Sequence, residues 1–477
     1  MKRIHCVGIG GIGISAIARL LSERGVRVSG SDLHISPVAQ SLAELGVTIF
    51  HGHDSAQVGD VDALLISSAI PAHNVEVVEA RRRGIPVYKR AEFLGRLMAG
   101  HAGIAIAGTH GKTTTTSMLI WVLVQAGLDP TFIVGGVIQQ LGVNAHAGRG
   151  AHFVIEADEY DHMFLGLAPT VAAVTHLEHD HPDCFPTFAD MRTAFERFLN
   201  LVPADGLVVG CGDHPAVEAL LQQFARLQRC NTLTCGLGTE NDWQAQDVHP
   251  NARGGHDFRV MWRGRVWGDV SLSIAGMHNV QNALIVIAIA EWLGVDRQRV
   301  RRGLAEFAGA RRRFEIRGEG NGIVVIDDYG HHPTEIAVTL AGARARYPDR
   351  PIWAVFQPHT YSRTKTLWRA FLACFEQADH VIVLDIYAAR EKDKLGIDAA
   401  ALAAEMAARG HRDVRHIADF DRAAEHIVRY AEPNAVVITL SAGDGNLVGE
   451  KVLDKIGKQS GEPTDNYEQT THRRTRN

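Results

Sequence analysis

The chain lacks several features, and each absence excludes a class of protein. No run of about 18 apolar residues occurs, the length a membrane-crossing helix needs, so no stable membrane insertion is expected. Met1-Lys2-Arg3 leads straight into an apolar strand and a glycine loop, without the layout of a signal peptide. The six cysteines (Cys6, Cys184, Cys211, Cys230, Cys235, Cys374) show neither paired metal-ligand spacing nor disulfide density, which points to a reducing, cytoplasmic location. Charge of one sign is also scarce. Lys plus Arg number 49 against 54 Asp plus Glu, a formal net charge of −5, too balanced for a generalised binder of nucleic acid or membrane surface. Nucleic acid is therefore not an expected partner.

Apolar residues, by contrast, are plentiful. They make up 46% of 477 residues, enough for about three domains at ~150 residues each. Short apolar runs alternate with amphipathic stretches. Runs at 4–7, 26–30, 47–50, 63–67 and 87–88 read as buried strands, with helical patterns at 15–24 and 37–45 between them. A second series occupies 103–107, 131–134, 153–156, 171–174 and 207–209, and a third 324–327, 352–356, 380–384 and 436–440. Such alternation predicts crossover units and mostly parallel sheets, an α/β chain of three domains. The first and third domains read as Rossmann-like and the central one as P-loop ATPase-like. Small-residue steps place the domains at 1–101, 102–316 and 317–457, the second boundary resting on Gly318, Gly320 and Gly322. Residues 458–477 are polar and aperiodic and are expected to be disordered.

Two glycine loops carry chemistry. Gly8-Ile9-Gly10-Gly11-Ile12-Gly13 follows the first strand and opens a helix, an arrangement that lets backbone N–H groups approach a diphosphate. Asp32 ends the second strand, where such folds place a ribose-binding acid. Alone, this loop would suit a nicotinamide oxidoreductase. Gly108-Thr109-His110-Gly111-Lys112-Thr113-Thr114 stands between strand 104–107 and helix 115–124. It would wrap nucleotide phosphates, with Lys112 on the β/γ oxygens and the Thr113 hydroxyl on Mg²⁺. The full phosphate-loop string is not met, since Ile106 holds the first glycine position.

Acids and imidazoles follow at two strand ends, Glu156-Ala157-Asp158-Glu159 and Glu178-His179-Asp180-His181. In an open α/β sheet those ends face the same crevice as the phosphate loop. Mg²⁺ keeps waters and needs few protein oxygens, so Thr113 and Glu156 suffice.

The constellation resembles the Mur ligase family from about residue 4 to 453. The resemblance rests on Gly-Thr-His-Gly-Lys-Thr-Thr, Glu-Ala-Asp-Glu, His278-Asn279 with Asn282, and Arg312-Arg313-Phe314-Glu315. It extends to Asp327-Asp328-Tyr329-Gly330-His331-His332-Pro333-Thr334-Glu335 and Phe356-Gln357-Pro358-His359-Thr360-Tyr361-Ser362-Arg363-Thr364. The last two motifs, with Gly-Ile-Gly-Gly-Ile-Gly and Ser67-Ser68-Ala69-Ile70, look like the branch that adds L-alanine to UDP-N-acetylmuramate in peptidoglycan synthesis. The resemblance implies an ATP-dependent carbon–nitrogen ligase. ATP would phosphorylate the lactyl carboxylate, and the alanine amine would displace phosphate from the acyl phosphate. Gly8, Gly10, Gly11, Gly13, Asp32, Ser67 and Ser68 would then serve the UDP-sugar rather than a nicotinamide cofactor. Asn279 and Asn282 match the adenine position, Arg313 would approach the phosphates, and Asp328 would lie near the nucleotide and hinge. His181 would hold a second Mg²⁺, while His332 and Arg363 would contact the muramoyl substrate. A water-labile acyl phosphate favours closure of the third domain. A monomer or weak homodimer is expected.

The chain departs from the family pattern at several points. Thr360 stands where many members carry arginine, Ala275 where proline is usual, and Tyr160 where serine is common. A tyrosine at that last position also occurs in the recycling ligase that joins a tripeptide to the same nucleotide sugar. That enzyme carries an extra segment, whereas here only 162–169 intervene before the next strand. No lysine occurs between Lys112 and Lys365, so the carbamylated lysine of other branches has no counterpart. A further alternative is an ATP-binding switch without ligase activity, for which His332 and Arg363 would be dispensable. Bland structural roles also stand open: His332 as a helix cap before Pro333, and Arg363 as half of a surface ion pair.

Overall fold

The computed structural model describes residues 1–389 and 391–460, with side chains through Gly457. The disorder expected for 461–477 therefore concerns residues outside those described, as does Arg390 in the charged loop after residue 386. Residues 458–460 end the helix Leu447–Ser460.

Three sheets carry the fold. The first has five parallel strands in the spatial order Thr48–His51, Arg27–Asp32, Arg3–Val7, Ala63–Ile66, Val87–Lys89. The chain winds outward from Arg3–Val7 and then crosses to its other side. A crevice therefore opens beyond the carboxyl ends of Arg3–Val7 and Ala63–Ile66, where Gly8 and Ser67 stand.

The second sheet has ten strands. Its parallel centre runs Asn231–Gly236, Leu207–Cys211, Val171–Val174, Ala102–Ala107, His152–Glu156, Thr131–Ile133, with the two-residue Ala145–His146 antiparallel at that edge. Strands Ala102–Ala107 and Val171–Val174 are buried almost throughout because both faces are covered. One face carries helices Lys112–Gln125 and Met277–Trp292, the second so apolar that nearly its whole circumference is buried. Beyond Asn231–Gly236 the sheet continues into Trp243–Pro250, paired parallel to it, then His256–Trp262 and Arg265–Ser271, each antiparallel to the strand before it, an extension not anticipated from the sequence. Its outer face is polar, and its inner face packs Trp243 against Trp262 and Trp267.

The third sheet runs Glu315–Gly320, Ile323–Asp328, Val436–Ser441, Ile352–Gln357, His380–Val383, Val414–His416, parallel except for the first pair. Apolar layers cover both of its faces. The glycines read as a domain boundary lie within Glu315–Gly320 or just after it. A Cβ at Gly318 would stand 3.2 Å from Leu453, and one at Gly320 would stand 2.8 Å from Ile456. Glycine there lets the helix Leu447–Ser460 seat on the edge strand.

The chain divides into two compact units, Met1–Arg311 with the first two sheets, and the residues from Arg312 onward with the third. Among the described residues no helix is long and apolar enough to cross a membrane.

Candidate active site

The phosphate loop leaves the central strand Ala102–Ala107 and enters helix Lys112–Gln125 through two glycines in conformations that side chains rarely adopt. Gly108 has φ +133° and Gly111 φ +79°. A Cβ at Gly108 would collide with the Thr175 hydroxyl, and one at Gly111 would stand 3.0 Å from Asn282 Oδ1. The neighbouring strand Val171–Val174 braces the loop. Thr109 N–H donates to the His176 carbonyl at 2.9 Å, and Glu178 N–H donates to Thr109 Oγ1 at 3.2 Å. His110 Nε2 makes a short contact with Glu178 Oε1.

Lys112 Nζ donates to Glu159 Oε1 at 2.9 Å and also to the carbonyls of Gly108 and Thr109. Burial alone would lower its ammonium, but Glu159, Asp158 and Glu156 outweigh that and hold it above its ordinary value. Glu159, 1% exposed, is pushed up by burial against the opposing pull of Lys112 and His181. Thr113 Oγ1 donates to Glu156 Oε1 at 2.9 Å, and Gly135 N–H donates to its other oxygen at 2.6 Å. His181 Nε2 lies 3.7 Å from Glu159 Oε1 and 3.6 Å from Asp180 Oδ2. Its backbone has φ +51°, an uncommon conformation for a residue with a side chain. The fold thus brings Lys112, Thr113, Glu156 and His181 together. Glu159 and Glu178 are partners to which the motifs assign no role, because their pairings depend on strand adjacency.

Asn279 and Asn282 sit one turn apart on helix Met277–Trp292, both buried. Asn282 Nδ2 donates to Asn279 Oδ1 at 3.1 Å, and Asn279 Nδ2 donates to the Ala275 carbonyl at 2.6 Å. With Gly111 packed on Asn282, this pair borders the phosphate loop.

In the first domain, Asp32 Oδ2 accepts from Gly10 N–H at 2.8 Å and Oδ1 accepts from His34 N–H at 3.0 Å. Its oxygens therefore shape the glycine loop. The first turn of helix Ile12–Glu23 has no side-chain cap. Ser67 abuts Gly8, where a Cβ would stand 2.9 Å from Ser67 Cβ, while Ser68 is exposed.

The second unit holds the remaining candidates. Asp328 accepts from Phe314 N–H at 2.7 Å and Gly330 N–H at 2.8 Å, tying the segment after Arg312 to strand Ile323–Asp328. Burial raises its carboxyl despite Arg313. The Arg313 guanidinium lies 5.1 Å from the Tyr329 ring centroid and 3.8 Å from Glu335. His332 is the N-cap of helix Pro333–Arg346: its Nδ1 accepts from Thr334 N–H at 3.3 Å, and Glu335 closes the capping box. Arg363 is no surface residue. It is 4% exposed, and its Nη1 donates to the His359 carbonyl at 2.9 Å. Glu391 accepts from Thr360 Oγ1 at 2.8 Å and Ser362 N–H at 3.0 Å, so Thr360 serves as an anchor for that loop.

A Gly-Lys-Thr loop closing a central parallel strand, with a carboxylate bonded to its threonine, defines an α/β protein of the phosphate-binding type. Three family models cover the chain: "Mur ligase family, catalytic domain" at residues 3–102, "Mur ligase middle domain" at 106–290, and "Mur ligase, glutamate ligase domain" at 312–443. The chain belongs to the Mur ligase family. It is 45% identical to UDP-N-acetylmuramate–L-alanine ligase of Desulforapulum autotrophicum over 94% of this chain and 98% of the relative. The enzyme of that name from Syntrophotalea carbinolica is 43% identical over 95% and 98%. Among solved structures, UDP-N-acetylmuramate-alanine ligase of Thermotoga maritima superposes with a TM-score of 0.81 at 27% identity, covering 96% of this chain and all of that one. A murein peptide ligase from Psychrobacter arcticus gives 0.72 at 28% identity, covering 96% and 99%.

Proposed function

We propose that this chain is an ATP-dependent ligase that joins L-alanine to the lactyl carboxylate of UDP-N-acetylmuramate, a step of peptidoglycan synthesis. The observation that carries the reading is near-full-length likeness to enzymes named for that reaction. ATP's γ-phosphoryl passes to the lactyl carboxylate, giving ADP and an acyl phosphate. The alanine amine attacks the acyl carbon, loses a proton, and the tetrahedral adduct expels phosphate to leave an amide.

Two anions must meet, so the protein's task is to neutralise and align. Lys112 exchanges Glu159 for triphosphate oxygens, and the N–H groups of 108–114 cradle the phosphates. Thr113 with Glu156 would hold one Mg²⁺, and His181, beside Glu159 and Asp180, a second. Beside it, Glu159 Oε2 is a buried carboxylate oxygen with no hydrogen-bond partner among the described residues, and hard oxygens are what Mg²⁺ takes. Bound there, Mg²⁺ supplies positive charge to the triphosphate. Asn279 and Asn282 receive the adenine. The glycine loop, with Asp32, Ser67 and Ser68, receives the UDP end. In the second unit, Arg313 and Asp328 act on the nucleotide, and His332 and Arg363 on the muramoyl group. Three domains divide this work, the third opening at Arg312. The six free cysteines suit a reducing cytoplasm.

The test is phosphate release with UDP-N-acetylmuramate, ATP and single amino acids. Alanine-dependent release is expected. Tripeptide-dependent release without alanine turnover would favour the recycling reaction instead.

A further inference from the structure

A cavity of about 200 Å³ separates the glycine loop of the first domain from the acid run of the central one. Ile12 and Gly13 line one side and Glu156 and Asp158 the other, while Arg90 is, among the described residues, the sole basic side chain on its walls. Arg90 opens the helix Arg90–Met98, a terminus where the helix dipole disfavours a cation. Helix stability therefore gives no reason for arginine here. Its Nη2 donates to Asp158 Oδ2 at 2.9 Å, and its Nε contacts the Met163 sulfur. The guanidinium also lies against the backbone of Gly13, where any Cβ would collide with it. One face of this cation is thus held by an acid, and another borders the uncapped first turn of Ile12–Glu23.

We infer that Arg90 is a positioning residue for the nucleotide sugar: its guanidinium takes an oxygen of the diphosphate, displacing Asp158. This rests on the proposed function and adds to it a contact outside the glycine motif. A planar fork of donors suits phosphate oxygens. Asp158 keeps the cation compensated when the diphosphate is absent. The exchange also links diphosphate binding to the acid run that begins at Glu156.

Calorimetric binding to the full chain tests this without turnover. Arg90→Ala should weaken UDP and UDP-N-acetylglucosamine alike by roughly 10- to 100-fold, the worth of a charge-assisted bond, and leave uridine and ATP unchanged. Arg90→Lys should recover part of the loss, and Asp158→Asn should tighten UDP. In turnover, the KM for the nucleotide sugar should rise more than kcat falls. UDP affinity within twofold of wild type in Arg90→Ala would overturn the assignment, as would equal loss of ATP affinity, the mark of general damage. Weakened UDP-N-acetylmuramate with unchanged UDP would place the contact on the lactyl carboxylate and overturn the diphosphate reading. If the wild-type chain itself binds no uridine nucleotide, the proposed function fails rather than the role of Arg90.

Discussion

Lys112 and Glu159 form a buried ion pair: Nζ donates to Oε1 at 2.9 Å, and the acid is 1% exposed. The lysine that should meet the triphosphate is held by this acid and by two carbonyls of its own loop. Under the proposed function, nucleotide binding would exchange these partners and leave Glu159 to face cations brought with the nucleotide.

Lys112→Ala should lower turnover roughly a hundredfold or more. It should also destabilise the protein, because removing one partner of a buried pair costs about 3–5 kcal/mol. The double variant Lys112→Ala/Glu159→Gln should regain most of the lost melting temperature and none of the activity. Equal melting temperatures for the single and double variants would remove Glu159 as the partner that matters.

Thr113→Ala and Glu156→Gln should each raise the Mg²⁺ needed for half-maximal turnover by about tenfold or more. UDP affinity, measured by calorimetry, should stay at the wild-type value. Unchanged Mg²⁺ dependence in both variants would move the metal site elsewhere.

Gly111→Ala places a side chain at φ +79° and 3.0 Å from Asn282 Oδ1. A left-handed conformation costs about 1–2 kcal/mol for such a residue, and Asn282 must shift as well. ATP affinity should fall, with a smaller loss when Asn282→Ala is added. Additive losses would show that the two positions do not touch in solution.

Glu76, buried in the first domain, is bonded to His5 Nε2 at 3.0 Å, His53 Nδ1 at 2.7 Å and Ser31 Oγ at 2.7 Å. Burial pushes its carboxyl up, but His5, Ser31 and His53 together hold it below its ordinary value. The folded chain thus binds this proton less readily than the unfolded chain. Its stabilisation is complete above the ordinary carboxylate range and is lost as pH falls through the lowered value. The melting gap between wild type and Glu76→Gln should correspond to about 1–3 kcal/mol at neutral pH and close as pH falls below the ordinary carboxylate range. A gap independent of pH would contradict this.

The clustering of Lys112, Thr113, Glu156 and His181 was legible because the motifs that carry them are local. Gly108 to Thr114 and Glu156 each end a strand, and adjacent parallel strands align those ends. What the motifs could not give were partners fixed by strand order, such as Glu159 on Lys112 and Arg90 against Gly13. Residues 231–271 were missed as strands because polar side chains on the outer face break up their apolar runs. Gly318 and Gly320 read as a break in pattern because a glycine chosen for helix packing looks the same in sequence as one chosen for a turn. His332 shows the converse: the helix-cap role is present in the structure, and the proposed substrate role is tested by His332→Asn, which keeps a cap acceptor.

The most direct measurement is the stoichiometry of phosphate release against amide formed, with purified chain, ATP, Mg²⁺, UDP-N-acetylmuramate and L-alanine. One phosphate per UDP-N-acetylmuramoyl-L-alanine, with no release when either acceptor is omitted, is the predicted result. ATP hydrolysis indifferent to alanine and to the nucleotide sugar, or no amide at all, would contradict it.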